Sequence, residues 1–217
     1  MSRFFDLSHP IEHGMRTYPG LPGPAISTHL SREASRALYA TGTEFHIGRI
    51  DMVANTGTYL DAPFHRYPEG ADVSALPLAR LADLPGVVVR PPAPDAAIGP
   101  ETFDGVALAG RAVLIRTGWS DRWGTDAYFT GHPHLTETAA SLLAEGGPAL
   151  VGIDSLNIDS TASGDRPAHS VLLARGIPIV EHLTGLDRLP ASGFRFFAVP
   201  AGVRGMGTFP VRAFAIA

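Results

Sequence analysis

Short apolar runs separated by glycine and proline recur along the chain, and they predict strands. Val87-Val88-Val89-Arg90, Ala112-Val113-Leu114-Ile115-Arg116, Leu150-Val151-Gly152-Ile153 and Ile177-Pro178-Ile179-Val180 are rich in β-branched residues and bounded by turn formers. Phe194 to Val199 and Val211 to Ile216 complete the predicted set. Helical spacing occurs in two places. Thr136 to Glu145 opens on a capping Thr with Glu137 in its first turn, places Leu135, Ala139, Leu142 and Leu143 on one face, and stops at Gly146-Gly147. A second helix is expected from about Pro167 to Arg175, with Asp165 as cap, Pro167 in the first turn and Gly176 as stop. Helices interleaved with strands predict an α/β or α+β domain. The Pro91-Pro92-Ala93-Pro94 stretch reads as a loop within a single domain spanning 1–217, with no linker and no repeat.

Composition narrows the chemistry. The 217 residues are 45% hydrophobic and 18% charged, with a formal net charge of -4, and the basic residues are scattered. Nucleic acid and acidic membrane surfaces, which need a basic field, are not expected partners. There is no cysteine, so disulfides, thiolate metal sites and a cysteine nucleophile are excluded. No apolar run reaches the length of a membrane helix. The opening MSRFFDLSHP does not read as a signal peptide, so a cytoplasmic protein is expected.

The densest chemistry lies in Asn55-Thr56-Gly57-Thr58-Tyr59-Leu60-Asp61-Ala62-Pro63-Phe64-His65. Tyr59 and Asp61, two apart, share a face in extended backbone. Asp61 and His65, read as lying in a loop rather than a core strand, suit metal binding or acid–base work. They suit equally well a turn in which both bond local backbone. His169, near the start of the second helix, and Glu181, at the end of the next strand, can meet when that unit folds back. Otherwise they are a surface histidine and a capping acid. Asp154-Ser155-Leu156-Asn157-Ile158-Asp159 follows a buried strand and reads either as site residues or as Asx and Ser turns. His132 and His134 read as surface residues.

In that order, these segments resemble the cyclase family of kynurenine-formamidase-like, metal-dependent hydrolases. The likeness covers nearly the whole chain, from Asp6-Leu7-Ser8 and Tyr18-Pro19-Gly20 through Thr117-Gly118-Trp119 and Gly176–Glu181 to Phe209-Pro210-Val211-Arg212-Ala213. The family signature His-x-Gly-Thr-His-x-Asp-x-Pro-x-His is matched at Gly57, Thr58, Asp61, Pro63 and His65. The resemblance implies a mixed β-sheet or barrel-like core flanked by helices, of the swivelling β/β/α type, in a homodimer or homotetramer. It implies hydrolysis of a small amide, formamide, lactam or lactone at one or two divalent ions. Asp61, His169 and Glu181 would be ligands and His65 the general acid/base.

Two positions depart from the signature: Asn55 and Tyr59 stand where it has histidine. Asn offers a weak neutral oxygen, and Tyr must lose a proton of pKa near 10 to bind well. The expectation is therefore one Zn²⁺ or Mn²⁺ on Asp61, His169 and Glu181, or none. Tyr59 would then be free to steady a developing oxyanion. Asn55, Phe64 and Trp119, together with Trp123, are expected to line the pocket of a small-molecule substrate. Two alternatives remain. One is a metal-free cyclase, dehydratase or isomerase using Tyr59, Asp61 and His65; the other is a non-catalytic binding protein of the same fold.

Overall fold

The computed structural model describes residues 2–92 and 97–217, so Ala93 and Pro94 of the expected loop lie outside the described residues. Its strands, in chain order, are β1 (Phe4–Asp6), β2 (Ala25–Leu30), β3 (Ile47–Asp51), β4 (Tyr59–Asp61), β5 (Leu84–Val89), β6 (Ala97–Ile98) and β7 (Ala112–Ile115). They continue with β8 (His134–Leu135), β9 (Leu150–Ile153), β10 (Ile179–Glu181), β11 (Ser192–Phe197), β12 (Thr208–Pro210) and β13 (Phe214–Ile216). The helices are α1 (Arg32–Ser35), α2 (Glu137–Gly146) and α3 (Pro167–Ala174).

Nine strands form one mixed sheet in the order β1-β13-β11-β5-β7-β9-β10-β4-β12. The centre, β5-β7-β9-β10, is parallel, and both flanks are antiparallel. β7 and β9 are buried on both faces, which is why they read as unbroken apolar runs. On β7, Leu114 joins the core enclosed by the curled sheet, with Leu60, Val180 and Phe196. Val113 and Ile115 point the other way, onto Ala139, Leu143 and Leu172 of α2 and α3. Each such side chain contributes about 1.5–3 kcal/mol of burial. Gly152 on β9 keeps these layers in contact, because a Cβ there would stand 2.7 Å from Leu183 Cδ1.

Helix α2 is capped as the sequence predicts, with Thr136 accepting from the Ala139 N–H and Gly147 taking the left-handed C-cap conformation at φ 63°. The β2–β3 hairpin escapes the pattern analysis altogether. Its strands pair with each other alone, and almost all their side chains are exposed.

Candidate active site

The segment expected to be a loop supplies a strand. Buried β4 lies between β10 and β12, and this register sets the site. Tyr59 is opposite Glu181, and Asp61 is opposite Ile179 on one side and Thr208 on the other. The Tyr59 hydroxyl donates to Glu181 Oε2 at 2.7 Å. Thr208 Oγ1 donates to Asp61 Oδ1 and sits 2.9 Å from His65 Nδ1. Gly57, at φ 66°, makes the turn that leads the chain into β4. A 3₁₀ turn, Pro63–His65, carries His65 off the strand. That turn packs tightly on Gly207, where a Cβ would stand 2.5 Å from the His65 Cα.

Helix α3 brings the second half. Its expected cap, Asp165, is not used. The buried Asp159 accepts from the Ala168 N–H at 2.7 Å and the His169 N–H at 3.0 Å, satisfying the first turn from outside the helix. The same carboxylate lies 2.7 Å from His169 Nδ1. This leaves Nε2 of His169 turned inward, 3.6 Å from Asp61 Oδ2 and 3.7 Å from Glu181 Oε1. Glu181 Oε1 also accepts from the Ile158 N–H at 2.6 Å.

The electrostatics follow from burial. Burial alone would suppress a charge on His169, yet Asp159, Asp61 and Glu181 push its pKa up to about 10. Burial would raise Asp61, but the His169 and His65 imidazoles hold it below its ordinary value. Glu181 is pushed up to about 7, by burial against the pull of His169. Burial and the neighbouring carboxylates Glu181 and Asp61 keep the Tyr59 phenol protonated, well above its usual range. Tyr59 is thus a hydrogen-bond donor rather than an anionic ligand, and its proton is committed to Glu181.

Asp61, Tyr59, His65, His169, Glu181 and Asn55 all meet at one cavity of about 1030 Å³ (Asp61 through the contacts just given). Phe64 and Trp119 are not among the residues lining it. Phe64 is at the surface, and Trp119 packs in a small satellite core with Tyr128 and Leu156. Trp123 stacks on His9 at 3.9 Å, beside a separate, smaller pocket.

The 154–159 loop divides between both of its readings. Asp154 accepts from the Thr117 and Gly118 N–H groups and so organises a turn, whereas Ile158 and Asp159 hold Glu181 and His169. Sequence reasoning also passed over Thr208, His182 and Arg66. Thr208 carries no local motif. His182 directly follows a singled-out residue, and that adjacency was the available signal.

His132 is not on the surface: it is 3% exposed, with Nε2 donating to the Asp159 carbonyl at 3.1 Å. Burial lowers its pKa to about 4 from 6.5. Below 6.5 the unfolded chain binds a proton that the folded chain refuses until about 4, so stability is full above that window and falls as acid is added. Between about pH 7 and about pH 5 this costs about 2 kcal/mol, and His132→Asn should lose that much less in urea unfolding across the same interval. Equal losses in both proteins would rule out His132 as the cause.

The donors suit a divalent cation. Asp61 Oδ2 is buried without a hydrogen-bond partner. One ligand atom each from Asp61, His65 and His169 lies within 4.8 Å of the others. Asp159 orients His169 from behind, as carboxylates commonly do for ligating imidazoles. Glu181, expected as a ligand, is outside that compact set, and both its oxygens are engaged by Tyr59 and Ile158.

Comparison with known proteins agrees with this architecture. A kynurenine formamidase of Bacillus cereus is 29% identical over 98% of this chain and 96% of its own length. One of Bacillus mycoides is 28% identical over the same shares. A solved structure described as a potential metal-dependent hydrolase with cyclase activity superposes with a TM-score of 0.81 at 27% identity, over 100% of this chain and 98% of its own. Isatin hydrolase A from Labrenzia aggregata, at 23% identity and a TM-score of 0.84 over 100% and 94%, shares the fold. The family model described as putative cyclase matches residues 5–160, and the chain belongs to that family.

Proposed function

We propose that the chain hydrolyses the carbon–nitrogen bond of a small formamide or lactam in the pocket formed around Asp61, His65, His169 and Glu181. The unpartnered Asp61 Oδ2, buried and facing His169 Nε2 at 3.6 Å, carries this reading. A kynurenine formamidase and an isatin hydrolase among the similar proteins support the substrate class. Asp61, His65 and His169 would hold one Zn²⁺ or Mn²⁺. When bound, the ion supplies Lewis acidity and lowers the pKa of water.

The side chains supply the remainder. Asp159 fixes the direction of His169, and Thr208 steadies both Asp61 and His65. Glu181, pushed to about 7, takes the proton of the attacking water and returns it to the leaving nitrogen.

A second reading has its own observation. With its pKa near 10, His169 stands as an imidazolium among the carboxylates of Asp61, Asp159 and Glu181. That charge would serve in place of an ion, leaving His65 Nε2 as the general acid/base. Turnover of N-formylkynurenine, an aryl formamide and isatin, before and after chelation, separates the two. The expected result is formamide hydrolysis that falls to background with chelator and returns with Zn²⁺ or Mn²⁺. Chelator-resistant turnover selects the metal-free reading, and no turnover on the whole panel rejects both.

We also propose a homo-oligomer joined through the β2–β3 arm. Ile26, Leu38, Tyr39, Phe45, Ile47 and Ile50 are all exposed there. A two-stranded hairpin open on both faces is marginal by itself. Arg32, Arg36 and Arg49 are matched by Glu33, Glu44 and Asp51, a neutral and interleaved pattern that suits a second copy of the same surface. Segment 25–51 is also about the 20–30 residues that a standard interface takes from each side. Light scattering should show a multiple of 22.9 kDa, and Ile47→Arg with Ile50→Asp should release the 22.9 kDa monomer with its circular dichroism intact. A wild-type monomer at micromolar concentration would overturn this.

A further inference from the structure

Behind the pocket runs a buried chain of hydrogen bonds whose direction can be read atom by atom. Tyr128 Oη is 2.8 Å from His182 Nδ1, His182 Nε2 is 3.3 Å from Tyr59 Oη, and Tyr59 donates to Glu181 Oε2 at 2.7 Å. All four side chains are at most 2% exposed. Glu181 accepts on both oxygens, from Tyr59 and from the Ile158 N–H, so the Tyr59 proton points at Glu181. Tyr59 Oη must then accept from His182, which puts the imidazole proton on Nε2. Nδ1 is left as an acceptor, and the Tyr128 hydroxyl fills it.

The backbone is bent to make this possible. His182 has φ 57°, one of two non-glycine residues with positive φ among those described. Such a conformation costs on the order of 1 kcal/mol and persists only where its surroundings enforce it. Here Thr58 Oγ1 donates to the His182 carbonyl at 2.7 Å, and the Trp123 ring packs edge-on against the imidazole at 5.5 Å.

We propose that His182 is a positioning residue. Held by Tyr128 as the Nε2–H tautomer, it aims the Tyr59 hydroxyl at Glu181 Oε2 and so fixes that carboxylate at the pocket. This rests on the reading of Glu181 as proton carrier in formamide hydrolysis, and the test separates the two. Ring-nitrogen NMR of ¹⁵N-labelled protein should show a neutral Nε2–H imidazole assigned to His182, and Tyr128→Phe should disturb that signal. In formamide hydrolysis, Tyr128→Phe should lower kcat about 10-fold, and His182→Asn, which tolerates left-handed backbone, about 10–100-fold. KM should stay within about twofold in both, because substrate is not touched.

An Nδ1–H tautomer in the wild type overturns the proposal. So does a folded Tyr128→Phe protein with wild-type kcat, which would make the chain purely structural. If the wild type hydrolyses no formamide, the functional reading fails, and the tautomer of His182 with its response to Tyr128→Phe still decides whether the relay exists.

Discussion

Asp61→Asn is expected to cut kcat/KM by about 10²–10³-fold, the size of losing one preorganised electrostatic group at a reacting centre. The same change should abolish uptake of Zn²⁺ or Mn²⁺, measured by titration calorimetry. The reasons lie in the geometry. Asp61 is fully buried, its Oδ1 is held by Thr208, and its Oδ2 has no hydrogen-bond partner. A buried carboxylate oxygen left bare is costly unless something positive completes it. His169 Nε2 faces that oxygen at 3.6 Å and His65 Nε2 stands 3.8 Å from Oδ1, which leaves room for a cation between the three side chains. The amide keeps the shape and removes the charge, so a protein of normal stability and activity within about tenfold of wild type would remove Asp61 from the chemistry.

Asp159→Ala should produce the largest loss of stability, about 3–5 kcal/mol in urea unfolding. Asp159 does two jobs with one carboxylate. It caps α3 through the Ala168 and Ala-adjacent His169 N–H groups, and it pairs with His169 Nδ1 at 2.7 Å. Losing a cap alone costs about 1 kcal/mol. The larger share comes from stranding the His169 imidazole, 5% exposed and pushed up to about 10 in pKa, without its closest counter-charge. Asp159→Asn, which retains an oxygen for the helix, should lose less. If the alanine variant loses under about 1 kcal/mol, the pair is not what anchors the start of α3.

Elements whose stability is local were legible from sequence. Leu150–Ile153 occupies the bounds its apolar run suggests, and α2 begins after Thr136 and ends at the two glycines as its caps dictate. The family likeness, carried by Asp61, His65, His169 and Glu181, also pointed at side chains that do converge. What failed was information that resides in register. β4 is three residues long and follows a polar stretch, so periodicity could not show it as a buried strand. Thr208 reaches Asp61 only because β12 pairs antiparallel to β4 across 147 positions of sequence, a relation no local pattern encodes. The β2–β3 hairpin was invisible for the opposite reason: with both faces exposed, neither shows the alternation that marks a half-buried strand. Asp165 was the cap that nearness in sequence suggested, whereas Asp159, nine residues before Ala168, reaches the first turn of α3 only through the fold.

The placement of β4 between β10 and β12 also bears on biogenesis. The strand that steadies Asp61 from its outer side, at residues 208–210, is made after every other element of the pocket. A nascent polypeptide halted before that point carries the other pocket side chains but lacks the clasp that orders them. Competence therefore waits on the latest-made of the pocket's own elements, and fragments cut short before residue 208 would be inert even where most of the sheet had formed.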